Sequence, residues 1–224
     1  HMVATLLVVL IALLHAYIGW RLVPGLGAYP RLQLLLLAVL VLSPLLMPLG
    51  LAGSRIAKQP WADRLSWVGL LMMGLFSSLF VMTLARDALL LLLWLAHVAG
   101  LQLPLQALGV ISAQAVPVLA LLVTVLGFVN ARRTPAVVRV DVPIKRLPPA
   151  LHGFTVAQLS DIHIGPTIKR VWLQRIVSRV NSLGADMVAV TGDLVDGRVA
   201  DLAGHIAPLA DLRSRHGTYV VTGN

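Results

Sequence analysis

The sequence predicts an α-helical multi-span membrane domain followed by a partial α/β domain of layered sheet and helices. Three observations carry that expectation. Hydrophobic residues make up 58% of the 224 and charged residues only 12%, about half the roughly 25% charged share of a soluble domain. Four stretches, Met2–Trp20, Leu32–Ser54, Leu65–Ala85 and Ala88–Ala131, contain no Asp, Glu, Lys or Arg. After Arg133 the chain changes to short apolar runs punctuated by glycine, proline and charge.

A helix needs about 20 apolar residues to cross the hydrocarbon core, so each of the first three stretches predicts one span. The fourth is long enough for two passes, Ala88–Leu103 and Leu108–Asn130, with the turn near Gln102–Gln106. Five spans are favoured over four, with Arg86-Asp87 an interfacial ion pair between the third and fourth. A re-entrant helix is the alternative for Ala88–Leu103. With five spans, Arg21, Arg31, Arg86, Arg132 and Arg133 face Arg55, Lys58 and Arg64 across the membrane. With four, Arg55, Lys58, Arg64, Arg132 and Arg133 face Arg21, Arg31 and Arg86. Both counts put the larger positive charge beside the C-terminal segment, which predicts a multi-pass protein of the cell (inner) membrane with a cytoplasmic C-terminal domain.

Residues 1–2 read as a start or cloning scar and residues 3–133 as the transmembrane domain. The first segment has no basic n-region and no small-x-small cleavage site, so it predicts a retained anchor. Trp20, Trp61 and Trp67 suit an interfacial belt. Pro44 and Pro48 are expected to kink or end the second helix, and His15 and His97 to hydrogen-bond neutrally between helices. The absence of cysteine excludes disulfides and thiolate metal sites. The net charge of +9 sits at the ends of apolar runs and along one later helix, so nucleic acid is not an expected partner.

Residues 134–224 read as the first half of an α/β domain. Val137–Ile144 (VVRVDVPI) alternates Val138, Val140 and Val142 against Arg139 and Asp141, the period of a half-buried strand. The loop KRLPPALHG follows, then a second strand, Phe154–Ser160. In Ile168–Leu183 the residues Leu173, Ile176, Val177 and Val180 recur at i, i+3, i+4 and i+7, with Lys169, Arg170, Arg175 and Arg179 off that stripe. This predicts an amphipathic helix packed on a sheet. Asp186–Gly192 (DMVAVTG) is the nearly continuous apolar run of a buried parallel strand. A second helix over about residues 200–215 leads to a last strand, Thr218–Thr222. The predicted order is β, β, α, β, α, β with parallel crossovers.

Three of these strands finish in polar clusters: Ser160-Asp161-Ile162-His163-Ile164-Gly165, Thr191-Gly192-Asp193-Leu194-Val195-Asp196-Gly197, and Thr222-Gly223-Asn224. In parallel sheets functional groups collect beyond the carboxyl ends of strands. Carboxylate, imidazole and amide oxygen are ligands for divalent ions such as Mn²⁺, Fe²⁺ or Zn²⁺. Asp161 and His163 point the same way if the strand extends into the loop, and Asp193 can bridge two ions about 3.5–4 Å apart. Gly192 and Gly223 permit the tight turns that bring ligands together. Singly, Asp161 reads as a turn cap, His163 as a loop residue and Asp196 as a turn carboxylate; the three clusters together point to metal.

The motifs DIH, GDLVDG and GN in this order resemble the calcineurin-like metallophosphoesterases, whose pattern is D-x-H, then G-D, then G-N-H-[DE], then further histidines. The run GFTVAQLSDIHIGPTIKR…VNSLGADMVAVTGDLVDG…APLADLRSRHGTYVVTGN is similar to the branch with an N-terminal multi-span membrane domain, and the resemblance covers residues 137–224. It implies two divalent metal ions, with Asp161 and His163 on the first, Asp193 bridging, and Asn224 on the second. Asp196 would orient a ligand or a loop amide. The implied activity is phosphate-ester hydrolysis by a metal-activated hydroxide. The family's histidine would follow Asn224, so no catalytic residue is assigned within this chain; His205 and His216 lie upstream and do not match. The chain therefore reads as a membrane portion plus the first half of a phosphoesterase domain, a fragment expected to be inactive. The implied partners are the lipid bilayer and a phosphate ester near it, lipid-linked esters included. The alternative is a non-enzymatic channel, transporter or scaffold with a vestigial or regulatory phosphoesterase-like tail. Charged residues inside the spans would favour it, and the sequence has nearly none.

Overall fold

The structure is a computed structural model. It describes every residue but His1, Ala57, Gln59, Pro166, Arg198, Thr222 and Asn224, and omits the side chains of residues 2–4, 54–55 and 199–201. The chain divides into two compact units, His1–Ala131 and Arg132–Asn224.

The first unit is built from four long helices, α1 (Met2–Leu22), α2 (Pro30–Ile56), α3 (Trp61–Val98) and α4 (Leu105–Ala131). Each contains a stretch long and apolar enough to cross a membrane. Ile18, Leu22, Leu36, Leu40, Leu79, Val116 and Ala120 fill the centre, while many leucines and valines face outward, as helices do when lipid is their solvent. Small residues let α2 and α3 approach. A Cβ at Gly50 would collide with the backbone of Gly69, and one at Gly53 would stand 2.9 Å from the Ala62 carbonyl oxygen.

The break expected at Arg86-Asp87 does not occur, which removes the five-span reading. The apolar runs on either side form one helix of 38 residues. The reason lies in partners from distant parts of the chain. Asp87 accepts hydrogen bonds from Tyr17 Oη (2.6 Å), Arg21 Nε (2.7 Å), Arg21 Nη2 (2.9 Å) and Arg86 Nη1 (2.8 Å). Arg86 also donates to Ser112 Oγ and to the Gly109 carbonyl, each at 2.9 Å. A charge in apolar surroundings is tolerable when paired and hydrogen-bonded. With α1, α3 and α4 sharing the pair, the helix need not open to reach water.

Other expectations for this unit change too. α2 does not end at Pro44 or Pro48 but continues through both to Ile56, as packed membrane helices allow. Neither histidine bonds between helices. His15 donates Nδ1–H to the Ile11 carbonyl of its own helix at 2.7 Å and stacks on Phe76 at 4.2 Å. His97 Nδ1 accepts from the Leu103 amide at 3.5 Å. Trp20 and Trp61 are exposed beneath the guanidinium groups of Arg21 and Arg64, whereas Trp67 packs edge-on against Phe128.

The second unit is a parallel three-stranded sheet in the order β1 (Val156–Ser160), β2 (Met187–Thr191), β3 (Thr218–Val220). α5 (Arg170–Asn181) connects β1 to β2. α6 (Val199–Ile206) and a 3-10 turn, Ala207–Asp211, connect β2 to β3. The predicted stripe of α5, Leu173, Ile176, Val177 and Val180, packs on Leu159, Val188, Val190 and Leu202. Alternate residues of β2, Met187, Ala189 and Thr191, are only half-buried on the opposite face. Val137–Ile144 is not a strand: Val138, Val140 and Val142 are 81%, 75% and 72% exposed. Its alternation specifies two faces, but no strand among the described residues pairs with its backbone, and an unpaired ladder has nothing to hold it. The observed order is therefore β, α, β, α, β.

Candidate metal centre

Pairing in register sets Ser160 opposite Thr191, so the loops after β1 and β2 leave the same edge side by side. They are then laced together. The Asp161 amide donates to the Thr191 carbonyl (3.2 Å), His163 to Asp193 (3.1 Å), Ile164 to Leu194 (2.9 Å) and Asp196 back to Ile164 (2.8 Å). This arrangement brings Asp161, His163 and Asp193 together: each offers a ligand atom, and all three atoms lie within 4.8 Å of one another.

The chain does not converge by staying extended, as the sequence reading assumed. Asp161 (φ 54°) and His163 (φ 51°) both adopt left-handed backbone, a conformation that costs a non-glycine residue on the order of 1–3 kcal/mol. Ile162 between them is buried in the sheet–helix core. Two left-handed turns about an anchored isoleucine, not strand alternation, bring the carboxylate and imidazole to the same place. Gly192 fits the same geometry. Its φ is +74°, and a Cβ there would stand 2.7 Å from Asp161 Oδ1. A Cβ at Gly223 would run into the Asp193 carboxylate.

The electrostatics prepare these groups. A hydrogen bond from the Ser160 hydroxyl, aided by the Asp193 amide at 3.5 Å, holds the Asp161 carboxyl below the usual carboxylate range. Asp196 pushes the His163 imidazole up, with both carboxylate oxygens 3.0 Å from Nδ1. With Nδ1 engaged, Nε2 is the ring nitrogen left for an ion, the usual division of labour in a carboxylate–histidine–metal relay. Two carboxylates and an imidazole suit a borderline-to-hard divalent ion. Their 4.8 Å spread is close to the roughly 4 Å that separates ligands bound about 2.1 Å from one ion. The donor set fits.

Asn224 lies outside the described residues. His216 sits at the other end of the sheet, its amide bonded to the Asp186 carbonyl and its ring beside Phe154. Sequence reasoning passed over Ser160 and Ile162. A hydroxyl next to a candidate ligand, and an apolar residue between two of them, were the available signals.

No family model and no solved structure matches the chain. It is 48% identical over 111 residues to a transmembrane protein with metallophosphoesterase domain from Danio rerio, and 46% identical over 112 residues to one from Bos taurus. Each match covers 48% of this chain and 25% of the relative, so the chain spans about a quarter of the length of these relatives. An uncharacterised metallophosphoesterase of Campylobacter jejuni is 35% identical over 146 residues, 65% of this chain and 38% of that protein. With the motifs converging at one sheet edge and four apolar helices preceding them, the chain is similar to metallophosphoesterases, among them proteins named for a transmembrane part and a metallophosphoesterase domain.

Proposed function

We propose that this chain carries part of a membrane-anchored phosphoesterase centre that works with two divalent ions. Asp161 and His163 ligate the first ion, Asp193 bridges, and Asn224 contributes to the second. The observation that carries the reading is the convergence of the Asp161, His163 and Asp193 ligand atoms within 4.8 Å. When bound, such ions supply Lewis acidity toward phosphoryl oxygens and a water of lowered pKa. The chain's own residues prepare the site: Ser160 and the Asp193 amide keep Asp161 ionised, Ile162 fixes the turn, and Asp196 orients the imidazole.

The matched relatives are about four times as long as the stretch they share with this chain, and β3 is exposed along its whole length. On its own, the 224-residue chain is therefore expected to hold metal weakly and to hydrolyse nothing. With four spans, Arg55, Lys58, Arg64, Arg132 and Arg133 outnumber the basic residues of the opposite loops, which favours a cytoplasmic second unit at the inner membrane. The substrate class is a phosphate ester within reach of the bilayer, lipid-linked esters included. The rival channel or transporter reading rests on charge within the helices. Away from the first turns of α2 and α3, which hold Arg31, Asp63 and Arg64, that charge among the described residues is Arg21, Arg86 and Asp87, closed on one another as a helix clamp.

The test is Asp193→Asn in the full-length gene product. Metal uptake and p-nitrophenyl phosphate hydrolysis should both fall at least about 100-fold. Activity that survives the substitution removes the assignment.

A further inference from the structure

Positive charge is unevenly distributed in the second unit. Residues 132–181 hold nine Lys and Arg against two Asp, a formal +7, whereas residues 182–224 hold three against five, a formal −2. Part of the excess gathers on the outer face of α5. A groove of about 790 Å³ runs between that face and the segment Thr134–Ala136, lined by Val171, Gln174, Arg175, Ser178 and Arg179. Trp172 Nε1 pins the segment in place by donating to the Arg133 carbonyl at 3.2 Å. Among the described residues no carboxylate lines the groove, and neither Arg175 nor Arg179 has an ion-pair partner.

This face is not needed for the core, because the buried stripe of α5 is complete without it. Like charges at i and i+4, such as Arg175 and Arg179, repel one another on a helix, so the pair gains most from an external anion. Guanidinium groups match phosphate oxygens in planar, two-pronged geometry.

We propose that this groove docks anionic lipid headgroups of the membrane that α1–α4 cross. The site is separate from the metal centre and does not depend on what that centre hydrolyses. Three observations select this occupant. The groove is basic and lacks a competing carboxylate. Arg132 and Arg133 follow α4 directly in the chain, and basic clusters just beyond a span are drawn to an anionic leaflet. Val171, 70% exposed at the groove, is an apolar side chain of the kind that settles at headgroup depth. Nucleic acid fits less well, because no aromatic ring lines the groove for stacking.

The chain has no cysteine, so Ser178→Cys in the full chain gives a single site for the polarity-sensitive fluorophore NBD. The labelled protein is reconstituted in nanodiscs of phosphatidylcholine alone, or with about 30% phosphatidylglycerol. The anionic discs should raise and blue-shift the emission about twofold or more. About 0.5 M NaCl should reverse the change, and adding Arg175→Glu and Arg179→Glu should abolish it. Identical emission in the two lipids overturns the proposal, as does a response that survives the double charge reversal. A response to inorganic phosphate or an RNA oligonucleotide in phosphatidylcholine discs, with none to phosphatidylglycerol, also overturns it. The lipid comparison uses unreversed arginines, so the test holds even if the double variant misfolds.

Discussion

His163 and Asp196 show how one contact can set both metal affinity and its pH dependence. The raised imidazole must lose its proton before Nε2 can serve an ion, so proton and metal compete. Metal uptake should therefore rise as pH increases through the raised His163 value. In Asp196→Asn that midpoint should move down toward the ordinary histidine value of about 6.5. Affinity at high pH should drop about 10–100-fold, because the ring is no longer oriented. Titration calorimetry at several pH values on the full-length protein checks both. An unchanged midpoint would show that Asp196 does not govern His163. For the metal-free protein the sign is opposite. A histidine raised by folding stabilises fully below its unfolded value and loses that contribution as pH rises through the folded one. Chelated protein should thus lose a little stability between mildly acid and neutral pH, and Asp196→Asn should lose that slope. The sequence made these residues legible as types and order, D-x-H and G-D-x-x-D. The left-handed turns at Asp161 and His163 were not legible: Asp and His adopt positive φ more often than other side chains, yet too rarely for the residue type alone to mark it. They follow from Ile162 seeking the core.

Elements were legible where one face does one job. The α5 stripe was read correctly because a 3.6-residue period against a single sheet leaves no second solution. Leu173, 0% exposed, tests that reading: Leu173→Ala should destabilise the second unit by about 2–5 kcal/mol. Val171→Ala on the exposed face should change it by less than about 0.5 kcal/mol. Hydrogen exchange of the β1 and β2 amides in the intact protein reports both, and equal effects would mean that α5 is docked by a different face. Two elements were misread because their fate depends on remote partners. VVRVDVPI has the alternation of a strand but no neighbour among the described residues. Arg86-Asp87 has the charge of a loop, yet Tyr17 and Arg21, more than sixty residues away, let it remain helical. A local pattern cannot report a distant hydrogen bond.

At the scale of the whole molecule, that continuous α3 fixes which loops share a side of the membrane. Its 38 residues extend about 57 Å at 1.5 Å per residue, against a hydrocarbon core of about 30 Å. Tilt and overhang can absorb the surplus, but a helix without a break cannot return to the side it entered from. Residues 99–104, after α3, must then lie opposite residues 57–60, before it. The segment after α4 must rejoin the side of residues 57–60. Single cysteines make this measurable, because these 224 residues contain none to interfere. Lys58→Cys and Val138→Cys should react with a membrane-impermeant maleimide from one face of sealed vesicles, and Gln102→Cys only from the other. A break at Arg86-Asp87 reverses two of these assignments: Gln102→Cys would label with Lys58→Cys, and Val138→Cys from the opposite side. Asp87→Ala gives the same experiment a second use. It leaves Arg21 and Arg86 without their shared carboxylate, and an unpaired guanidinium within an apolar helix is expensive. If the clamp is what keeps α3 whole, the variant should shift Gln102→Cys toward mixed labelling while Lys58→Cys keeps its side.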